Sequence, residues 1–139
     1  MIQRKQSLWL LLAAVCSFLT IKFPFYTGNI FNEQAMQSYQ ILDARFDLII
    51  LILTITIAVT SIISIFLYSH RKKQMLYTFI NFIVSIGTIV LYYNQTKKFV
   101  DGSYSISSLL TLIIPFALLL AFIGIFKDER LIKSADRLR

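Results

Sequence analysis

The sequence predicts an all-α integral membrane protein: an antiparallel bundle of four spanning helices followed by a short amphipathic C-terminal helix. Three observations carry that reading. Of 139 residues, 57% are hydrophobic and only 15% charged, whereas a soluble domain carries about a quarter charged residues. Uncharged apolar stretches take up more than half the chain. Each is close to the roughly 20 residues needed to cross about 30 Å of hydrocarbon. One domain over residues 1–139 without an internal linker is expected. The lone Cys16 excludes a disulfide scaffold, and the apolar content excludes disorder.

The first span is expected at about 7–26, where Lys22 lies near one end and can extend its ammonium into the headgroups. Trp9 and Tyr26 suit interface anchors at its two ends. A basic start before an apolar run also resembles a signal peptide. The stretch Ala13-Ala14-Val15-Cys16 has the outline of a lipoprotein cleavage site, but Val15 is bulky where a small residue is wanted, so a retained span is expected. The second span, about 47–69, is rich in Ile and Thr, a composition that favours sheet in water. Within hydrocarbon, a long stretch without turns satisfies its backbone most simply as a helix. The third and fourth spans are expected at about 74–94 and 105–126, with a tail at 127–139.

Charge sets the orientation. Arg4, Lys5, Arg71, Lys72, Lys73, Lys127, Arg130, Lys133, Arg137 and Arg139 fall on one side, and Lys22, Arg45, Lys97 and Lys98 on the other. The excess of Lys and Arg marks the cytoplasmic side, so both termini and the 70–73 turn are expected there. Loops 27–46 and 94–105 then face outward. In the first of these, Asn32 can cap a helix, and Ala35, Tyr39, Leu42 and Phe46 follow at four-three-four spacing. Either helix two begins outside the bilayer, or the loop is loosely ordered and partly helical. In the second, Asp101-Gly102 signals a two-residue hairpin turn, with Ser105 available to cap span four.

Inside the membrane, small and polar residues form stripes. Span two offers Thr54, Ala58 and Ser61; span three Asn81, Ser85, Thr88 and Tyr92; span four Ala117, Ala121 and Gly124; span one Ala13, Ala14 and Ser17. Such residues let helices approach closely and bond across the contact. The bland reading is packing seams. The sharper one makes the Asn81 stripe the lining of a polar path or a protomer contact. Pro115, within span four, leaves the Thr111 carbonyl without its helical donor and favours a kink.

Chemistry is largely excluded. No Asp, Glu, Lys, Arg or His lies in the middle of any span, which weighs against ion-coupled transport. His70 and Cys16 each stand alone, so neither a metal centre, dithiol redox work nor a triad is expected, and no cofactor or catalytic residue is assigned. An enzyme with a lipidic substrate would need Asp43, Arg45 and Asp47 to converge at the outer face. The net charge of +7 reads as topogenic and lipid-facing rather than nucleic-acid binding. In the tail, Leu131, Ala135 and Leu138 mark one helical stripe, and Glu129 and Lys133 form an i,i+4 pair. That helix either lies on the inner leaflet or docks a partner. Candidate partner or lipid contacts are Arg71, Lys72, Lys73, Lys127, Asp128, Glu129, Arg130, Asp136, Arg137 and Arg139.

Three segments carry a resemblance. Met1-Ile2-Gln3-Arg4 with Leu10-Leu11-Leu12-Ala13, the turn His70-Arg71-Lys72 with Gln74, and the tail Lys127-Asp128-Glu129 with Ser134-Ala135-Asp136-Arg137-Leu138-Arg139 resemble a family of uncharacterised four-span inner-membrane proteins of Bacteroidota. The chain departs from that pattern in loop 27–46 and at Ile125-Phe126. The resemblance implies a bacterial plasma-membrane location and four spans, and supplies no activity or catalytic residues. The expected function is a non-enzymatic accessory or scaffold subunit. It would contact anionic lipid, a membrane-protein partner or a second copy of itself through the inner turn and tail. The alternative is a small transporter or channel along Asn81, Ser85, Thr88 and Tyr92.

Overall fold

A computed structural model describes residues 3–31 and 37–136. The element order is α1 (Gln3–Lys22), β1 (Tyr26–Phe31), β2 (Gln37–Leu42), α2 (Leu48–Phe66), α3 (Arg71–Thr96), β3 (Asp101–Tyr104) and α4 (Ser108–Asp136), with a 3-10 turn at Leu67–Ser69 between α2 and α3. The four helices close a ring in which α1 packs on α2 and α4, and α3 packs on the same two. All four are long and apolar enough to cross a membrane. One end of the ring carries the α2–α3 turn and the other a three-stranded sheet. These are called the turn end and the sheet end.

Packing follows residue size. Ala13 and Cys16 of α1, Ile57 of α2, and Ile114, Ala117, Leu118 and Ala121 of α4 form one buried core, with Leu10 fully enclosed among them. Small side chains at i and i+4, as in Ala117 and Ala121, bring the α1 and α4 backbones together, so dispersion contacts accumulate along that seam. The bundle's apolarity is turned outward. On α3 the buried positions are Gln74, Thr78, Asn81, Ser85, Thr88, Tyr92 and Thr96, while Leu76, Phe79, Ile80, Ile83, Ile86 and Val90 are exposed. In water that helix would be inside out; in hydrocarbon it is the economical arrangement.

The helix limits differ from expectation, each for a local reason. α1 ends at Lys22 and not near 26, because Pro24 lacks an N–H and disfavours helical backbone in the residue before it. α4 begins at Ser108 rather than at Ser105, whose carbonyl accepts the Ser108 N–H at 2.9 Å. It then continues without interruption through Pro115 to Asp136. The expected separate tail helix is therefore the last part of α4. Nothing after Gly124 breaks a helix, and Ile114, Ala117, Leu118, Ala121, Ile125 and Asp128 keep one buried face going past the apolar stretch. At Pro115 the Thr111 hydroxyl donates to the Ser108 carbonyl at 2.6 Å.

The sheet corrects the all-α expectation. β1 pairs antiparallel with β2 from Tyr26↔Leu42 to Phe31↔Gln37, and with β3 from Tyr26↔Tyr104 to Asn29↔Asp101, giving the order β2-β1-β3. The four-three-four pattern in loop 27–46 is not helical: Tyr39 is two-thirds exposed and Leu42 wholly buried. Its Asn32 and Ala35 lie outside the described residues. Likewise Asp101-Gly102 is not a turn but the start of a strand. Gly102 sits opposite Gly28, and a Cβ on Gly28 would lie 2.2 Å from the Asp101 carbonyl oxygen and 2.7 Å from the Gly102 Cα. The glycine is needed here for close strand approach, a demand that a reading of local turn signals does not see.

Beneath the sheet lies a second core of Leu42, Ala44, Ile50, Tyr92 and Phe99. Phe25 stacks on Tyr92 with centroids 4.6 Å apart, and Tyr26 meets Phe99 and Tyr104 edge-on at 5.3 and 5.0 Å. Asp47 caps α2 by accepting the Ile49 N–H at 2.9 Å, and its other oxygen accepts from Gln95 of α3. The sheet is thereby tied to α2 and α3.

Candidate functional site at the turn end

The turn end gathers residues from three helices around one carboxylate. Asp128, on the inward face of α4, is only 5% exposed. Its Oδ2 accepts a hydrogen bond from Gln6 Nε2 of α1 at 2.6 Å and lies 3.4 Å from Arg71 Nη1 at the start of α3. The Arg71 side chain remains 22% exposed. A buried carboxylate costs several kcal/mol unless charge and hydrogen bonds compensate it; the two partners do so here. Gly124, one turn earlier on α4, makes the room: a Cβ there would come within 2.8 Å of Gln6 Cγ. Gln74, one turn into α3, donates from Nε2 to the Ser64 carbonyl at 2.9 Å and so satisfies an orphan acceptor at the end of α2. All four helices are thus locked together at this end by side-chain amides and one ion pair.

Against this bonded centre lies an open groove of about 530 Å³, lined by Ser69, His70, Arg71, Lys72, Lys73, Glu129 and Ile132. The turn and the tail, far apart in sequence, are its two walls. Of the expected contact residues, Arg71, Lys72, Lys73 and Glu129 line the groove. Lys127 and Arg130 are exposed on α4. Asp128 departs from its expected role as an outward contact, because the inward face of α4 carries it into the bundle. The side chains of Lys133, Ala135 and Asp136, together with Arg137, Leu138 and Arg139, lie outside the described residues. Gln6 was not singled out by sequence. Its one local signal is an amide a single turn inside an apolar helix, and its partner is 122 positions away.

The stripe of span three is brought together on the interior face. Asn81 donates from Nδ2 to the Ser61 hydroxyl at 2.9 Å and to the Ile57 carbonyl at 3.2 Å, which fastens α3 to α2. Ser85 and Thr88 donate to carbonyls of their own helix, Phe82 at 2.7 Å and Val84 at 2.9 Å. Tyr92 is 1% exposed beneath the sheet. The geometry is that of a packed seam. Ser85, at 2% exposure, gives a direct check: Ser85→Cys in native membranes is expected to resist a membrane-impermeant maleimide from either side. Ready labelling at that position would establish a water-filled path instead.

At the sheet end, the carboxylates of Asp43 and Asp47 serve the backbone. Asp43 accepts the Arg45 N–H at 2.8 Å and Asp47 caps α2. Among the described residues no group of three His, Cys, Asp or Glu side chains is placed to hold a metal ion.

Comparison with curated proteins and with solved structures gives no match. A family model described as a domain of unknown function (DUF4293) matches residues 2–138. With the match covering nearly the whole chain, and in keeping with its resemblance to an uncharacterised family, the protein belongs to the DUF4293 family.

Proposed function

We propose that this is a non-catalytic integral membrane protein, an accessory or scaffold subunit of a bacterial inner membrane that docks a partner on its turn end. The observation that carries the reading is the continuation of α4 beyond its apolar stretch. Its 29 residues make about 43 Å of helix, against roughly 30 Å of hydrocarbon. The surplus lies at the turn end, where Asp128 ties α4 to α1 and α3. On it Arg130 and Leu131 are exposed side by side, Leu131 at 56%. A helix that presents an apolar residue beside a charge is a form in which helices dock into partner grooves. The ten-to-four bias of Lys and Arg supports a cytoplasmic turn end.

Deleting the tail is a poor test, because it removes Asp128 with it. The double change Arg130→Ala and Leu131→Ser leaves the packed face and the groove lining intact. It is expected to preserve membrane insertion and to cut recovery of a crosslinked partner at least tenfold, measured by mild crosslinking in native membranes and mass spectrometry. Unchanged recovery of every crosslinked protein would overturn the docking reading.

A further inference from the structure

We infer that the groove at the turn end is a binding site for the phosphate headgroup of an anionic membrane lipid. This rests on the proposed membrane insertion and not on a protein partner. The first argument is charge. Arg71, Lys72 and Lys73 line one wall, opposite Glu129. Arg71 is engaged by Asp128 at 3.4 Å, which leaves Lys72 and Lys73, both exposed, as the cations that a phosphate meets. The second is backbone polarity: α3 starts at this wall, and no side chain caps it, so the positive end of the helix adds to the lysines. The third is size. A groove of about 530 Å³ lies within the range of sites that hold a small molecule.

Position decides between a lipid and a soluble phosphate. The groove begins immediately after the apolar stretch of α2, where Phe66 and Tyr68 are 75% and 61% exposed. Ile132, itself 45% exposed, lines it from α4. Exposed aromatic and aliphatic side chains beside lysines mark the hydrocarbon–headgroup boundary. A headgroup held there keeps its acyl chains against the apolar flank of α2, a contact that a free phosphate cannot make. Arg71 lines the groove and also reaches the Asp128 centre, where α1, α3 and α4 meet.

The test uses full-length protein in nanodiscs of phosphatidylcholine alone or with one-fifth phosphatidylglycerol, analysed by native mass spectrometry after release into detergent. The wild type is expected to retain one phosphatidylglycerol. Lys72→Gln with Lys73→Gln is expected to weaken retention roughly thirtyfold, about fivefold per charge removed. Lys97→Gln with Lys98→Gln at the sheet end is expected to leave it unchanged, and Lys72→Arg with Lys73→Arg to preserve it. Helical circular dichroism and nanodisc incorporation, read in parallel, separate loss of the site from failure of the membrane reading. Equal retention by the glutamine variant and wild type would overturn the site. Displacement of the lipid by millimolar inorganic phosphate would overturn the lipid as its occupant.

Discussion

Replacing Asp128 by Ala is expected to lower the unfolding free energy by about 2–3 kcal/mol, the largest loss for any single polar side chain at the turn end. The change leaves the Gln6 amide buried without its acceptor and Arg71 without its counter-charge. Stripping one partner from a fully buried pair costs more, but the Arg71 side chain is 22% exposed and can turn toward water. Asp128→Asn keeps an acceptor for Gln6 and loses only the charge, so about 1 kcal/mol is expected. Reversible unfolding in mixed detergent micelles measures both. The Gln6→Ala and Asp128→Ala double-mutant cycle should show coupling of at least about 0.5 kcal/mol. Independent, additive effects would mean that the 2.6 Å contact does not stabilise the bundle.

Gly28→Val is expected to detach β3 from β1 while sparing the helices. The added side chain would start 2.2 Å from the Asp101 carbonyl oxygen, and since that atom is backbone, the strands themselves must part. A cost of about 3 kcal/mol is expected, as for other insertions with no room to relax. The readout is a disulfide between Thr27→Cys and Ser103→Cys, partners in the native register, which should form in the parent and fail when Gly28→Val is added. Gly87→Ala is the matched control. Nothing lies within 4 Å of a Cβ there, and α3 should gain up to about 1 kcal/mol from the better helix former. Continued crosslinking with Val at position 28 would show that the sheet is not paired as described.

Much of the helical layout is legible because a helix fit to cross a membrane obeys a strong local rule. A span must be long, apolar and internally hydrogen-bonded, and residues 48–69 and 74–93 meet that rule without reference to the rest of the chain. The stripe of Asn81, Ser85, Thr88 and Tyr92 could be placed on one face for the same reason: periodicity is a property of one helix. Its role could not, since Ser61 and Ile57, which Asn81 meets, lie on another helix. Loop 27–46 misled because Ala35, Tyr39, Leu42 and Phe46 fit a helical period. A period is informative only where a matching face awaits burial. For loop 27–46 the burial on offer is the Tyr92 and Phe99 surface, which a sheet covers.

The same division holds at the turn end. Composition and the spacing of charges determined four apolar helices and gathered basic residues at the turn and tail, because hydrophobicity and charge act residue by residue. That Asp128 turns inward, that Gln6 and Arg71 converge on it, and that Lys72 and Lys73 share a groove with Ile132 were decided by tertiary packing. A carboxylate just past an apolar stretch is compatible with water or with burial. Only the geometry of three helices, meeting where Gly124 leaves space, supplies the partners that offset its desolvation.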